Sequence, residues 1–219
     1  MTARPDQTLL GQTPWQTVGP FFHYGLPWKG GADLTQTGTD LGARLDLIPP
    51  GHYHLSEHRA ESLISDDAII EIEGCVTDAD GAPIVDALVE IWQADAEGIY
   101  ASSEKPRATR DGLAFIGFGR SATDEGGVYR FRTIRPGAVP GPGNSLQAPH
   151  IAVAVFGRGL LKRLATRLYF AGDPANLDDP ILALVPAARR DSLVAHLVDG
   201  RWRFDIRVSG PSETVFLDF

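Results

Sequence analysis

Cysteine is nearly missing from this chain: Cys75 is the one example in 219 residues. No internal disulfide can form, and no zinc site built on paired cysteines is available. A lone cysteine in a strand-like run reads as a small buried hydrophobe. Positive charge is also short, with 20 Lys and Arg against 28 Asp and Glu and a net charge of -8. That balance argues against broad nucleic-acid binding, which needs basic surface to meet phosphate. No apolar run approaches membrane-spanning length, so no membrane association is expected. The opening residues Met1-Thr2-Ala3-Arg4-Pro5 lack the apolar stretch of a signal peptide, and the expected location is the cytoplasm.

Helical periodicity is scarce as well. Asp179-Pro180-Ile181-Leu182-Ala183-Leu184 predicts one or two turns, with Asp179 as cap and Pro180 at the first helical position. Pro186 to Leu193 is a second short candidate. What the chain has in quantity is Gly and Pro, 24 and 16 residues, punctuating short apolar runs as an all-β protein with many turns requires. Ile70-Glu71-Ile72-Glu73, Tyr129-Arg130-Phe131-Arg132 and Trp202 to Val208 alternate strictly, the pattern of half-buried strands. Val85 to Trp92 carries one wholly apolar face. Ile151 to Phe156 is apolar on both faces and belongs in the middle of a sheet.

The fold expected is all-β: a β-sandwich of mostly antiparallel strands with short helices, over residues 66–219. Residues 1–65 read as a long irregular N-terminal arm. Segments of that length without regular structure tend to be functional or disordered.

Several motifs, none specific alone, are jointly specific. They are Thr13-Pro14-Trp15-Gln16-Thr17-Val18-Gly19-Pro20-Phe21-Phe22-His23, Glu90-Ile91-Trp92-Gln93-Ala94-Asp95, Gly117-Phe118-Gly119-Arg120 and Arg132-Thr133-Ile134-Arg135-Pro136-Gly137. Ala148-Pro149-His150-Ile151, Thr166-Arg167-Leu168-Tyr169-Phe170 and the C-terminal Arg203 to Arg207 and Glu213 to Phe219 complete the set. Together they resemble the intradiol ring-cleaving dioxygenases over nearly the whole chain, least between residues 28 and 65. The resemblance implies a β-sandwich and a mononuclear non-haem Fe(III) site that uses two tyrosines and two histidines. Phenolate suits the ferric ion because both are hard. A catechol then binds as a chelating dianion, and O2 attacks between its hydroxyl carbons.

Carried over by motif, the four ligand positions are Tyr100, Val139, His150 and Ala152. Only i, i+2 residues of a strand share a face, so Ala152 stands where a second strand ligand would be. Valine and alanine offer no donor atom, and the two remaining donors are too few for a tight site. The resemblance is therefore to the family's non-iron-binding kind of subunit, with Fe(III) held by a partner subunit that keeps all four ligands. No catalytic residue and no metal is assigned to this chain.

The same resemblance implies a role in trans. Thr17, Gly19 and Pro20 match an arm that reaches into the partner's cleft, where Gly19 allows close backbone approach and Pro20 fixes φ. Arg158 matches a cleft arginine, whose planar fork suits the carboxylate of a dihydroxybenzoate. The partners implied are the iron-bearing subunit, in a higher oligomer of paired subunits, with the aromatic acid and O2 as substrates. Arg120, Arg130, Arg132 and Arg135 alternate with apolar residues and read as solvent-facing or interface charges. His52, His54 and His58 read as an exposed loop of the arm. Two rivals remain at this point: a self-sufficient metalloenzyme drawing donors from Tyr129, Tyr169 or His23, and a non-catalytic β-sandwich binding module.

Overall fold

The computed structural model describes residues 31–35, 66–101, 115 and 117–218. Eleven strands run through them in chain order: β1 Ile69–Thr77, β2 Leu88–Trp92, β3 Phe118–Ala122, β4 Val128–Ile134, β5 Val139–Pro140, β6 Leu146–Gln147, β7 His150–Phe156, β8 Leu164–Phe170, β9 Val194–Val198, β10 Arg201–Arg203 and β11 Ile206–Arg207. The all-β expectation holds, and most pairings are antiparallel, as expected. Three are parallel: β1 with β10, β1 with β11, and β8 with β9.

The sandwich is not made of two separate sheets. Nine of the strands form one hydrogen-bonded sheet, β11-β1-β10-β9-β8-β7-β2-β3 with β4 on the other side of β1, and β5 and β6 pair separately. The parallel β8–β9 pairing is the seam that joins the two halves. One core fills the space between them, with Ile72 and Val76 of β1 and Phe131 of β4 meeting Val89 and Ile91 of β2 and Ile151, Val153 and Val155 of β7. The inward residues alternate along each strand because successive side chains point to opposite faces. β7 lies between β2 and β8, the central place expected of it, with Ile151, Val153 and Val155 buried on the core face and Ala152, Ala154 and Phe156 half-buried on the other.

The run Trp202 to Val208 reads as one strand but is two. Between β10 and β11, the Asp205 carboxylate accepts the Cys75 N–H at 2.9 Å, where a ladder carbonyl would otherwise do so. Gly74 permits this, because a Cβ there would sit 1.8 Å from the Phe204 carbonyl oxygen. Cys75 itself is half-buried, not fully buried, and burial raises its thiol pKa, which disfavours the thiolate.

The Tyr129 hydroxyl donates to that same Phe204 carbonyl. Complete burial holds its phenol well above the ordinary value of 10. The unfolded chain ionises Tyr129 near pH 10 and the folded chain does not. Its contribution is therefore complete below pH 10 and is lost as pH rises toward the folded value. Denaturant unfolding at about pH 8 and about pH 11 is expected to show a steeper alkaline loss in the native sequence than in Tyr129→Phe. Equal losses would contradict the assignment.

Short 3-10 turns follow β8. Asp179 is the cap expected from sequence: its carboxylate accepts from the Ile181 and Leu182 N–H groups at 2.9 and 2.7 Å. The second candidate is a 3-10 segment, Ala187–Leu193, opened by Pro186. Residues 31–35 lie along β3 and β4, with Gly31 accepting from Arg120 N–H and Leu34 buried in the core. None of the described helices is long and apolar enough to cross a membrane.

Candidate functional site

His150 opens β7 and is buried, at 4% exposure. Its Nδ1 lies 2.8 Å from the Ala148 carbonyl oxygen, so this nitrogen carries the proton and Nε2 holds the lone pair. Burial lowers its pKa from the ordinary 6.5, the charge of Arg167 adds to that, and the ring stays neutral. Asp179 fixes the approach to the strand: it accepts the Ala148 N–H at 2.8 Å and the Tyr169 hydroxyl at 3.0 Å.

The register across β2, β7 and β8 assembles the rest. His150 stands opposite Tyr169, with ring centroids 5.8 Å apart. One step along the same face, Ala152 lies between Trp92 and Arg167. Tyr100 stacks on Trp92 at 6.1 Å and an interplanar angle of 10°. Burial raises the Tyr100 pKa, against the pull of Arg167, so the phenol is neutral too. Val139, buried on β5, pairs with Gln147 of β6. The Gln147 side-chain oxygen accepts from Arg167 at 2.7 Å. Tyr100, Val139, His150 and Ala152, the positions carried over from the resemblance, are thus linked through Trp92, Gln147, Arg167 and Tyr169.

Two glycines make that arrangement possible. Gly98 has φ +79°, and a Cβ there would fall 1.9 Å from the Ala138 carbonyl oxygen. Gly137 would meet the Ala96 carbonyl oxygen at 2.4 Å. The turn that delivers Tyr100 therefore packs backbone to backbone on the turn that delivers Val139.

These residues do not fit Fe(III). Val139 and Ala152 carry no donor, and the Arg167 guanidinium lies beside them, opposite Ala152 and bonded to the Gln147 partner of Val139. Of the rival donors, Tyr169 is committed to Asp179 and Tyr129 to the Phe204 carbonyl. No cluster of three or more His, Cys, Asp or Glu able to hold a metal occurs among the described residues. His23, His52, His54 and His58 lie outside those residues.

Arg158 lies elsewhere. It follows the far end of β7, which is roughly 20 Å from His150 by strand rise. It is 63% exposed at the side chain and pairs with Asp86 at 2.7 Å, an acid only 11% exposed. Thr17, Gly19 and Pro20 lie outside the described residues. The arginines read as solvent-facing or interface charges are partly exposed and ion-paired: Arg120 with Glu90, Arg130 with Glu73, Arg132 with Asp33 and Arg135 with Asp173. A cleft of about 480 Å³ lined by Asp33, Glu71, Glu73, Arg130, Arg132 and Arg201 holds much of this charge, and neither Tyr100 nor His150 lines it.

Sequence reading did not single out Arg167, Gln147 or Asp86. Arg167 carried a signal: a charged residue inside a strand otherwise apolar enough to be central.

Comparison with known proteins agrees with this geometry. The Dioxygenase family model matches residues 50–207. The chain is 39% identical to the protocatechuate 3,4-dioxygenase alpha chain of Burkholderia cepacia, over 96% of this chain and 99% of that one. It is 41% identical to the beta chain from the same organism, over 58% of this chain and 54% of that one. The solved structure of catechol 1,2-dioxygenase from Acinetobacter sp. ADP1 superimposes with a TM-score of 0.54 at 25% identity, covering 72% of this chain and 58% of that one. A family model matched over most of the chain, and a relative matched along nearly its full length, mean that this chain belongs to the intradiol ring-cleaving dioxygenase family.

Proposed function

We propose that this chain is the α subunit of a protocatechuate 3,4-dioxygenase, working with a β subunit that holds the Fe(III). The complex cleaves 3,4-dihydroxybenzoate between its hydroxyls with O2 and yields 3-carboxy-cis,cis-muconate. The observation that carries this reading is the linked but donor-poor site: Tyr100 and His150 remain, while Val139 and Ala152 cannot bind a metal. The alpha-chain likeness over 96% of the chain supports it.

In this reading the chain completes its partner's cleft. Thr17, Gly19 and Pro20 of the arm and Arg158 face the substrate, with Arg158 taking the carboxylate. Their role is positioning and binding, and the ring-opening chemistry belongs to the β subunit. The remoteness of Arg158 from His150 supports a site in trans, because the arginine lies too far away to serve a pocket around His150. Large apolar side chains left open on the single chain, Leu177 at 86% and Leu184 at 79%, suit a protein that is covered by partners in a higher oligomer. The assembly is a cytoplasmic one in this proposal.

The test is iron content and visible absorption of the chain alone and co-purified with its β subunit. The chain alone is expected to be colourless and iron-free. The complex is expected to hold one iron per αβ pair and to show a tyrosinate-to-Fe(III) band. Stoichiometric iron and ring cleavage by the lone chain would overturn the proposal.

A further inference from the structure

We infer that Arg167 occupies the place a metal cation would take, and that it bars a metal ion from the remnant site independently of the two missing donors. The inference rests on the α-subunit reading and deepens it: the site has gained a cation of its own, beyond having lost ligands.

Three observations place the guanidinium. In the β7–β8 register Arg167 is directly opposite Ala152, and a methyl group at 152 leaves that face of the sheet open to the longer side chain. Its Nη1 donates to the Gln147 side-chain oxygen at 2.7 Å, and Gln147 is the cross-strand partner of Val139. The same nitrogen lies 3.4 Å from the Tyr169 hydroxyl, whose ring packs against His150. One side chain therefore touches or faces the surroundings of three of the four positions where the family's ligands would stand, those of Val139, His150 and Ala152.

The network around it is closed. Asp179 accepts from Tyr169, Tyr169 adjoins Arg167, and Arg167 donates to Gln147, which donates in turn to the Pro140 carbonyl at 2.9 Å. Guanidinium does not lose its proton in proteins, so the charge is permanent. A trivalent cation entering here would meet a like charge in a partly buried, low-dielectric place, where such repulsion is strongly felt. It would also have to break a satisfied polar network.

The test restores the donors with and without the arginine. Val139→Tyr/Ala152→His is compared with Val139→Tyr/Ala152→His/Arg167→Gln in the full-length chain, or in the αβ complex if the chain requires its partner. Glutamine keeps a hydrogen-bond donor toward Gln147 and Tyr169 but removes the charge. The triple variant is expected to take up close to one Fe(III) per chain and to gain a visible tyrosinate band, which raises the complex from one iron per pair to two. The double variant is expected to take up less than about a tenth as much. Equal uptake by the two variants would overturn the inference, and so would a folded triple variant that binds no iron. If tyrosine at 139 prevents folding, Ala152→His and Ala152→His/Arg167→Gln are titrated with Zn2+ by calorimetry. At least tenfold tighter binding is expected without the arginine, and equal Kd values would overturn the inference. Iron uptake by the unsubstituted chain would instead count against the α-subunit reading, so the two failures are distinguishable.

Discussion

Arg158→Ala, in the assembled enzyme, is expected to raise KM for 3,4-dihydroxybenzoate with kcat and subunit assembly nearly unchanged. A hydrogen bond to a charged group contributes about 1.5–3 kcal/mol, and each 1.4 kcal/mol is tenfold in affinity, so the rise is roughly 10- to 100-fold. An arginine that holds the substrate's carboxylate binds ground state and transition state alike, and its loss therefore appears in KM. Its surroundings support this role over that of an ordinary surface charge. Asp86, largely buried, holds one edge of the guanidinium at 2.7 Å, while the side chain as a whole is 63% exposed. Arginine has five N–H donors, so pairing with Asp86 leaves others to meet a carboxylate. Catechol, which lacks the carboxylate, is the control: its KM should not move. Unchanged kinetics with 3,4-dihydroxybenzoate would remove Arg158 from the cleft.

The second large effect is on stability. Gly98→Ala is expected to destabilise the fold by roughly 2–5 kcal/mol, combining left-handed backbone strain with overpacking. The native φ is +79°, and the added Cβ would fall 1.9 Å from the Ala138 carbonyl oxygen. No side-chain rotation relieves a collision with backbone. For a domain of this size the loss corresponds to a fall in Tm of about 4–20 °C. Because the Gly98 turn delivers Tyr100 onto Trp92, the near-ultraviolet signal of stacked aromatics should weaken as well. Thermal unfolding by circular dichroism reads both effects, and a Tm within about 2 °C of the native value would show that the two turns do not pack as described.

Features set by near neighbours in the chain are legible in the sequence. The alternation of Ile70 to Glu73 and of Tyr129 to Arg132 predicts strands because side-chain direction in a strand repeats every two residues. The two-sided apolarity of Ile151 to Phe156 places that strand centrally. Asp179 followed by Pro180 marks a cap, since capping depends on residues two or three positions apart. The gaps at Val139 and Ala152 are visible only through the resemblance, which marks the positions where these two residue types offer no donor.

Other features are not legible there because they depend on register between distant segments. Trp202 to Val208 alternates as one strand, yet Asp205 reaches Cys75 and divides it, a contact spanning 130 positions. Residues 31–35 carry no strong pattern, but Leu34 enters the core beside β3 and β4. Pairing β8 with β9 in parallel turns two expected sheets into one continuous path.

By itself, then, the sequence determined an all-β chain, because periodicity is a local property, and its resemblance to a family implied an incomplete ligand set. Only the tertiary structure decided that Arg167 faces Ala152 and reaches Gln147, and that Arg158 meets Asp86 beside the Leu88–Phe156 pair. Both are consequences of cross-strand register, which brings together residues that no spacing along the chain connects.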